Sequence, residues 1–537
     1  MELNLKSLEN LELWNEKGIK VPHFNYASMI EKTKKDPVWI HFGAGNIFRG
    51  FIANLQNELL EKGVADKGII AAETFDFDII EKIYDPFDNL TLLASLNADG
   101  STTNSVVASI AEGVKANLSS EKDAARLKEI FRNPSLQMVS YTITEKGYAL
   151  TNVNGEVFPF VVKDFESGPK NPSHAMSVTT ALVYERYLAN KAPLAIVSMD
   201  NCSHNGEKVE LSVKRIATEW LNRGFVEQGF VDYLNDESKI SFPWSMIDKI
   251  TPRPSEIVKE KLDQLGLLNM APIITSKNTY IAPYVNAEVP QYLVVEDKFP
   301  NGRPELEKAG VYFTDRATVN KTETMKVTTC LNPLHTALAV YGCLLGYESI
   351  ASEMTDVELK KLVEKIGYTE GMPVVVDPGI ISPMSFIKEV IEQRLPNPFM
   401  PDTPQRIATD TSQKVGIRFG ETIKSYMKRS DLDSSDLTFI PLALAGWLRY
   451  LLAVDDNLEP MNVSSDPMLE ELGKTLEGIK VGDVTSYKGQ LKAILSNPNL
   501  FGVDLNEAKL ADKVEGMFLE LIAGKGAVRE TLKKYLA

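Results

Sequence analysis

The stretch from Pro37 to Glu61 constrains this chain most. Val38 to Phe42 is a short apolar run, Gly43-Ala44-Gly45 is a turn, and Ile47 to Glu61 carries apolar residues at helical spacing. A strand feeding a glycine turn that opens a helix is the first unit of a dinucleotide-binding α/β fold. Glycine lets the backbone approach a pyrophosphate, and the helix N-terminus stabilises the charge there. Gly43 and Gly45 are therefore candidate cofactor-binding residues. A second strand, Gly68 to Ala72, ends in Glu73, with Asp76 just beyond. An acid at that strand end accepts hydrogen bonds from a ribose and repels a 2′-phosphate, which favours NAD over NADP. Phe48 stands where a third glycine is usual.

The alternation of strand and helix continues. Leu90 to Ser95 and Ser105 to Glu112 read as an antiparallel excursion turned at Asn97-Ala98-Asp99-Gly100. Lys122 to Arg132 is a helix, Leu136 to Ile143 a strand, Met176 to Asn190 a helix and Leu194 to Ser198 a strand. Polar residues gather just past these strands, where ligands bind in open α/β sheets: Thr144 and Glu145 after one, Asp200 and Asn201 after the next. Asp200 and Asn201 are also ordinary caps for a helix starting near Gly206. Residues 242–254 read as a proline-punctuated connector, with further strands at Ile273 to Ser276 and Tyr292 to Glu296.

Beyond about residue 300 the periodicity becomes helical. The architecture expected is a Rossmann-like domain over 1–300 and a mainly α-helical domain over 301–537. The most informative stretch of the second is Thr322 to Tyr347. It places Glu323, Lys326, Asn332 and His335 in thirteen positions, followed by an apolar helix. Pro333 suits the first helical turn, and Asn332 before it suits a cap. Glu323 and Lys326 lie three apart, as do Asn332 and His335, so each pair can share a face.

At 537 residues, two domains are the default. The net charge of -15 argues against a nucleic-acid or anionic-membrane surface. Three cysteines without a C-x-x-C pair and five scattered histidines point to a reducing compartment and metal-free chemistry. The charged N-terminus is no signal peptide, and no run is long and apolar enough to span a membrane. A cytoplasmic protein is expected.

Several motifs occur in order: HFGAGNIFRGF at 41–51, TITEKGY at 142–148, SMDNCSHNG at 198–206, MIDKITP at 246–252, GRPELEKAGV at 302–311, ETMKVTTCLNPLH at 323–335 and NPFMPDTPQRIATDTSQK at 397–414. In these the chain resembles the polyol-specific long-chain dehydrogenases, the mannitol dehydrogenase family. The resemblance implies a metal-independent NAD-linked secondary alcohol dehydrogenase acting on a sugar acid or polyol, as a monomer or small homo-oligomer. It implies Lys326 as general acid/base, Asn332, His335 and Asn201 as its companions, and Glu323 as an acid linked to proton movement. It places the cofactor among Gly43, Gly45, Asn46, Ile47, Arg49, Glu73, Thr144, Glu145 and Asp248, and the substrate beside Arg406, Lys414 and Asn205. Two departures stand out. Five residues separate Lys326 from Asn332 where the family usually has four, an insertion to be absorbed by a bulge or irregular turn before Pro333. Lys249 stands where many members have arginine.

A lysine can take and return the alcohol proton if burial and nearby cations bring its pKa down towards neutrality. Asn201 and Asn332 would donate to the developing alkoxide. The basic residues Arg406, Lys414 and Arg418 favour an anionic hexuronate, of the fructuronate/mannonate type, as substrate. Tagaturonate/altronate, mannitol with fructose, and a catalytically silent NAD-binding sensor are the alternatives.

Overall fold

The computed structural model describes residues 1–537. The chain forms two compact units, Met1–Asn97 with Ser101–Asn320, and Ala98–Gly100 with Lys321–Ala537.

In the first unit six strands build one sheet: Trp39–Phe42 (β1), Ile69–Glu73 (β2), Ile110–Lys115 (β3), Met138–Tyr141 (β4), Leu194–Ser198 (β5) and Ile240–Ser241 (β6). Their order is β3-β2-β1-β4-β5-β6, and every pairing is parallel. Side chains alternate between two apolar cores. Ile40, Phe42, Ile70, Val139 and Ile196 pack on one face, and Trp39, Ile69, Met138 and Val197 on the other. Burial of both faces is why these strands read as continuous apolar runs. The order reverses between β1 and β4, and the crevice for a ligand lies at the carboxyl ends of strands at such a reversal.

Two sequence expectations change here. The run 105–112 is not one strand. Thr102–Val107 pairs antiparallel with Thr91–Leu96, and Ile110 then opens β3 in the main sheet. The break is held by Ala108 donating its N–H to Asn57 Oδ1 at 2.9 Å and Ser109 Oγ donating to Ala53 O at 2.6 Å. An unbroken apolar run cannot announce a change of sheet, because both sheets bury it. The connector 242–254 contains a strand, Ser245–Asp248, antiparallel to Tyr292–Glu296, which pairs in turn with Tyr312–Thr314. The first unit so runs on to Asn320.

The second unit is helical. Its central helix, Asn332–Leu345, is apolar nearly all round and closes at Gly346 (φ 79°), with Tyr347 N–H donating to Gly342 O at 2.9 Å. It packs on Phe439–Tyr450, where Tyr341 OH donates to Leu442 O at 2.7 Å and Gly446 leaves room for the Tyr341 ring. Four π-helical segments lie in this unit: Lys326–Cys330, Lys365–Gly371, Val390–Arg394 and Gly416–Gly420.

Candidate active site

The nucleotide side is built at the end of β1. Gly43 has φ 101°, and a Cβ there would run into the carbonyl of Thr142 at the end of β4. Only glycine satisfies both conditions. Gly45 faces open space, and Asn46, beginning the helix, has a buried Oδ1 with no hydrogen-bond partner. Ile47 follows, partly buried. An open glycine, a fresh helix N-terminus and an unused polar atom at the sheet's reversal point fit a dinucleotide. Phe48 stacks on His41 with ring centroids 4.2 Å apart, and the close-packing glycine lies two residues on. A Cβ on Gly50 would come within 2.6 Å of Val285 Cγ1.

Glu73, expected to meet a ribose, also organises the loop that follows it. Its Oε2 accepts the N–H of Ala44 at 2.8 Å, and Oε1 accepts those of Thr74, Phe75 and Asp76 at 2.9 to 3.2 Å. Oε1 is committed to the loop it organises, while Oε2, with one bond, keeps an acceptor site. Asp200 is likewise more than a helix cap. It accepts the N–H groups of Ile143 (2.8 Å) and Thr144 (3.0 Å) and the Tyr148 hydroxyl (2.5 Å), joining the ends of β4 and β5. Thr144 is held at φ 66°, unusual for a β-branched residue. Glu145 is exposed and pairs with Lys208 at 3.2 Å. Asn201 is exposed on the loop after β5, and Asp248 is buried at the end of its strand.

Two expected ligand residues are structural instead. Arg49 is 1% exposed, with Nε donating to Thr91 Oγ1 and Nη2 to Ala282 O. Asn205 is 0% exposed; its Nδ2 donates to Asp200 O and Ser245 Oγ, and its Oδ1 accepts the Ser245 N–H. Motif position placed both near the site, but burial turns their side chains into braces. Lys249 likewise donates to Glu288 O and Gln291 Oε1.

The helix Arg316–Met325, whose residues from Lys321 onward belong to the second unit, bears half-buried Glu323 and continues directly into the π-helix Lys326–Cys330. Leu331 N–H donates to Lys326 O at 3.1 Å, an i to i+5 bond that accommodates one more residue than an α-turn. The five residues between Lys326 and Asn332 are therefore accommodated by a π-turn. Lys326 is 4% exposed. The N-cap position falls to Leu331, without a side-chain cap, so Asn332 is the first helical residue and not the cap. The two helices abut without a loop, which leaves no extended cap position for it. Its carboxamide makes no hydrogen bond within the chain, whereas its carbonyl accepts from Thr336 Oγ1.

His335 follows one turn after the break, its Nε2 3.5 Å from Asp402 Oδ2. Burial first, then the cations Arg418, Arg406, Arg394 and Lys414, push its pKa down to about 3, so the ring is neutral near pH 7. Arg406 is ion-paired with Asp402, and Lys414 donates to Thr409 O. Arg418 Nη1 donates to Thr336 Oγ1 at 2.5 Å. The structure therefore brings Lys326, Asn332, His335, Arg406 and Lys414 into one unit with Glu323. It adds Arg394 and Asp402, which sequence reasoning passed over. The four-residue spacing of Asp402 and Arg406 was the available signal.

Comparison with known proteins agrees with this division. The family model described as the mannitol dehydrogenase Rossmann domain matches residues 38–308, and the mannitol dehydrogenase C-terminal domain matches 318–521. D-mannonate oxidoreductase of Thermotoga maritima is 53% identical, covering 99% of this chain and 99% of its own. D-mannonate oxidoreductase of Escherichia coli is 28% identical over 87% of this chain and 89% of its own. The solved Pseudomonas fluorescens mannitol 2-dehydrogenase, a ternary complex with NAD and D-mannitol, shares the fold at a TM-score of 0.68 and 24% identity, covering 99% of both chains.

Proposed function

This chain belongs to the mannitol dehydrogenase family, and from that membership we propose that it interconverts D-mannonate and fructuronate. It is an NAD-dependent secondary alcohol dehydrogenase acting on a small sugar or polyol. The relationship to the Thermotoga maritima enzyme carries the choice of substrate. The charge around His335 supports it: Arg394, Arg406, Lys414 and Arg418 stand against Asp402, a set suited to an anion.

NAD, when bound, supplies the hydride acceptor. Gly43, Gly45, Asn46, Ile47, Thr144, Glu145 and Asp248 are assigned to hold it, with Asn201 on the adjoining loop. Lys326 is assigned the proton. In oxidation its amine takes the hydroxyl proton, and in reduction its ammonium returns it. Asn332, whose carboxamide is uncommitted, donates to the oxygen as charge develops, a contribution of roughly 3 kcal/mol for one such donor. Neutral His335 orients that oxygen, and Glu323, three residues before Lys326, passes the proton outward. No disulfide joins Cys202, Cys330 or Cys343, which is compatible with a reducing setting.

The test is NADH oxidation with fructuronate, tagaturonate and fructose, each with NADPH in parallel. Fructuronate turnover with NADH, lost in Lys326→Ala while NADH binding persists, is the expected result. Turnover of fructose alone would make the enzyme a mannitol 2-dehydrogenase. NADH binding without turnover of any sugar would point to a silent sensor.

A further inference from the structure

We propose that Arg418 reads the carboxylate of the sugar acid and so sets the enzyme's preference for an acid over a neutral polyol. This rests on the D-mannonate reading above and deepens it. Four cations surround His335, but they are not equivalent. Arg406 is neutralised by Asp402, to which it is ion-paired. Lys414 gives one of its three N–H donors to the carbonyl of Thr409 and has no planar fork to match a carboxylate. Arg394 is buried at the end of its π-helix. Arg418 is half-buried, and its one partner is the neutral hydroxyl of Thr336. No carboxylate of the chain pairs with it.

A guanidinium has five N–H donors in a planar fork, and one is used here. The rest suit a bidentate carboxylate. Burial alone brings the Arg418 pKa down to about 10, with no acidic neighbour pulling the other way. Withdrawing a cation from water without a counter-ion destabilises a fold, so such a residue is kept for what it binds.

Its position is right for the task. Thr336, which holds it, directly follows His335. The π-helix Gly416–Gly420 packs on the π-helix that begins at Lys326, and just beyond it Thr422 Oγ1 donates to Thr328 O at 3.4 Å. The π-turn at Gly416–Gly420 is possible because Gly416 and Gly420 lie against the backbone of Phe501 and Gly502, where a Cβ would not fit at Gly420. Arg418 is thus mounted on a rigid element beside the proton-transfer set.

The experiment compares wild type, Arg418→Gln and Arg418→Lys on D-mannonate and on its neutral amide, D-mannonamide, with NAD. In Arg418→Gln we expect KM for D-mannonate to rise about 100-fold, with the loss falling mainly on KM, so that the preference for acid over amide collapses. Arg418→Lys keeps the charge without the fork and should lose about 10-fold. Thermal unfolding without substrate is the second readout. Arg418→Gln should melt at or above wild type, because a poorly compensated buried charge has gone. Equal losses on acid and amide, or a lower melting temperature with an unchanged acid preference, would overturn the assignment and leave Arg418 a structural residue. Wild-type enzyme inert towards D-mannonate would instead overturn the substrate reading itself, and this proposal with it.

Discussion

Single residues show how far burial redirects chemistry. Arg49, Asn205 and Glu73 are all polar residues in site motifs, yet each spends its hydrogen bonds on the chain's own backbone or neighbours. Glu353 is the opposite case: it is 0% exposed and neither carboxylate oxygen has a partner. It lies under the central helix at Gly342, where any side chain would collide with it. Burial, and then Asp356, raise its pKa well above the usual carboxyl range. The folded state therefore holds a proton that the unfolded chain releases above about pH 4.5. Glu353 should cost stability increasingly as pH rises past that point. Glu353→Met should raise stability by roughly 1–3 kcal/mol at pH 8, and by less near pH 4, in denaturant titrations at the two pH values. A pH-independent difference would mean that ionisation of Glu353 plays no part.

At the scale of elements, the π-helix Lys326–Cys330 is the decisive piece. It lets a helix bearing Glu323 and a helix bearing Asn332 and His335 join without a loop, with five residues between Lys326 and Asn332. An α-turn in its place would rotate Lys326 away from Asn332 and His335 by about the 100° that one residue occupies on a helix. Deleting Thr328 should therefore lower kcat by on the order of 100-fold or more, with NADH binding retained in a fluorescence titration. Near-normal kcat would mean that the register between the two helices does not matter. The sequence showed the extra residue plainly, and only the i to i+5 bond at Leu331 shows how the backbone absorbs it.

No cluster of three or more His, Cys, Asp or Glu side chains could hold a metal ion; on the proposed reading, in which Lys326 handles the proton, prolonged EDTA treatment should leave kcat with D-mannonate unchanged. A loss restored by a divalent cation would contradict that. No helix is long and apolar enough to cross a membrane. The sequence by itself determined the strand–turn–helix opening at 38–61 with its glycine turn at Gly43, the change to helices in the later half of the chain, and the close spacing of Glu323, Lys326, Asn332 and His335. These depend on local periodicity, on glycine's freedom of φ and on near neighbours along the chain. Only the tertiary structure decided that the run 105–112 divides between two sheets, that Arg49 and Asn205 are braces, and that Arg418 is a half-buried guanidinium held by a neutral hydroxyl. Those facts depend on which distant residues meet a side chain and how much water is left around it, and neither is written in its immediate sequence.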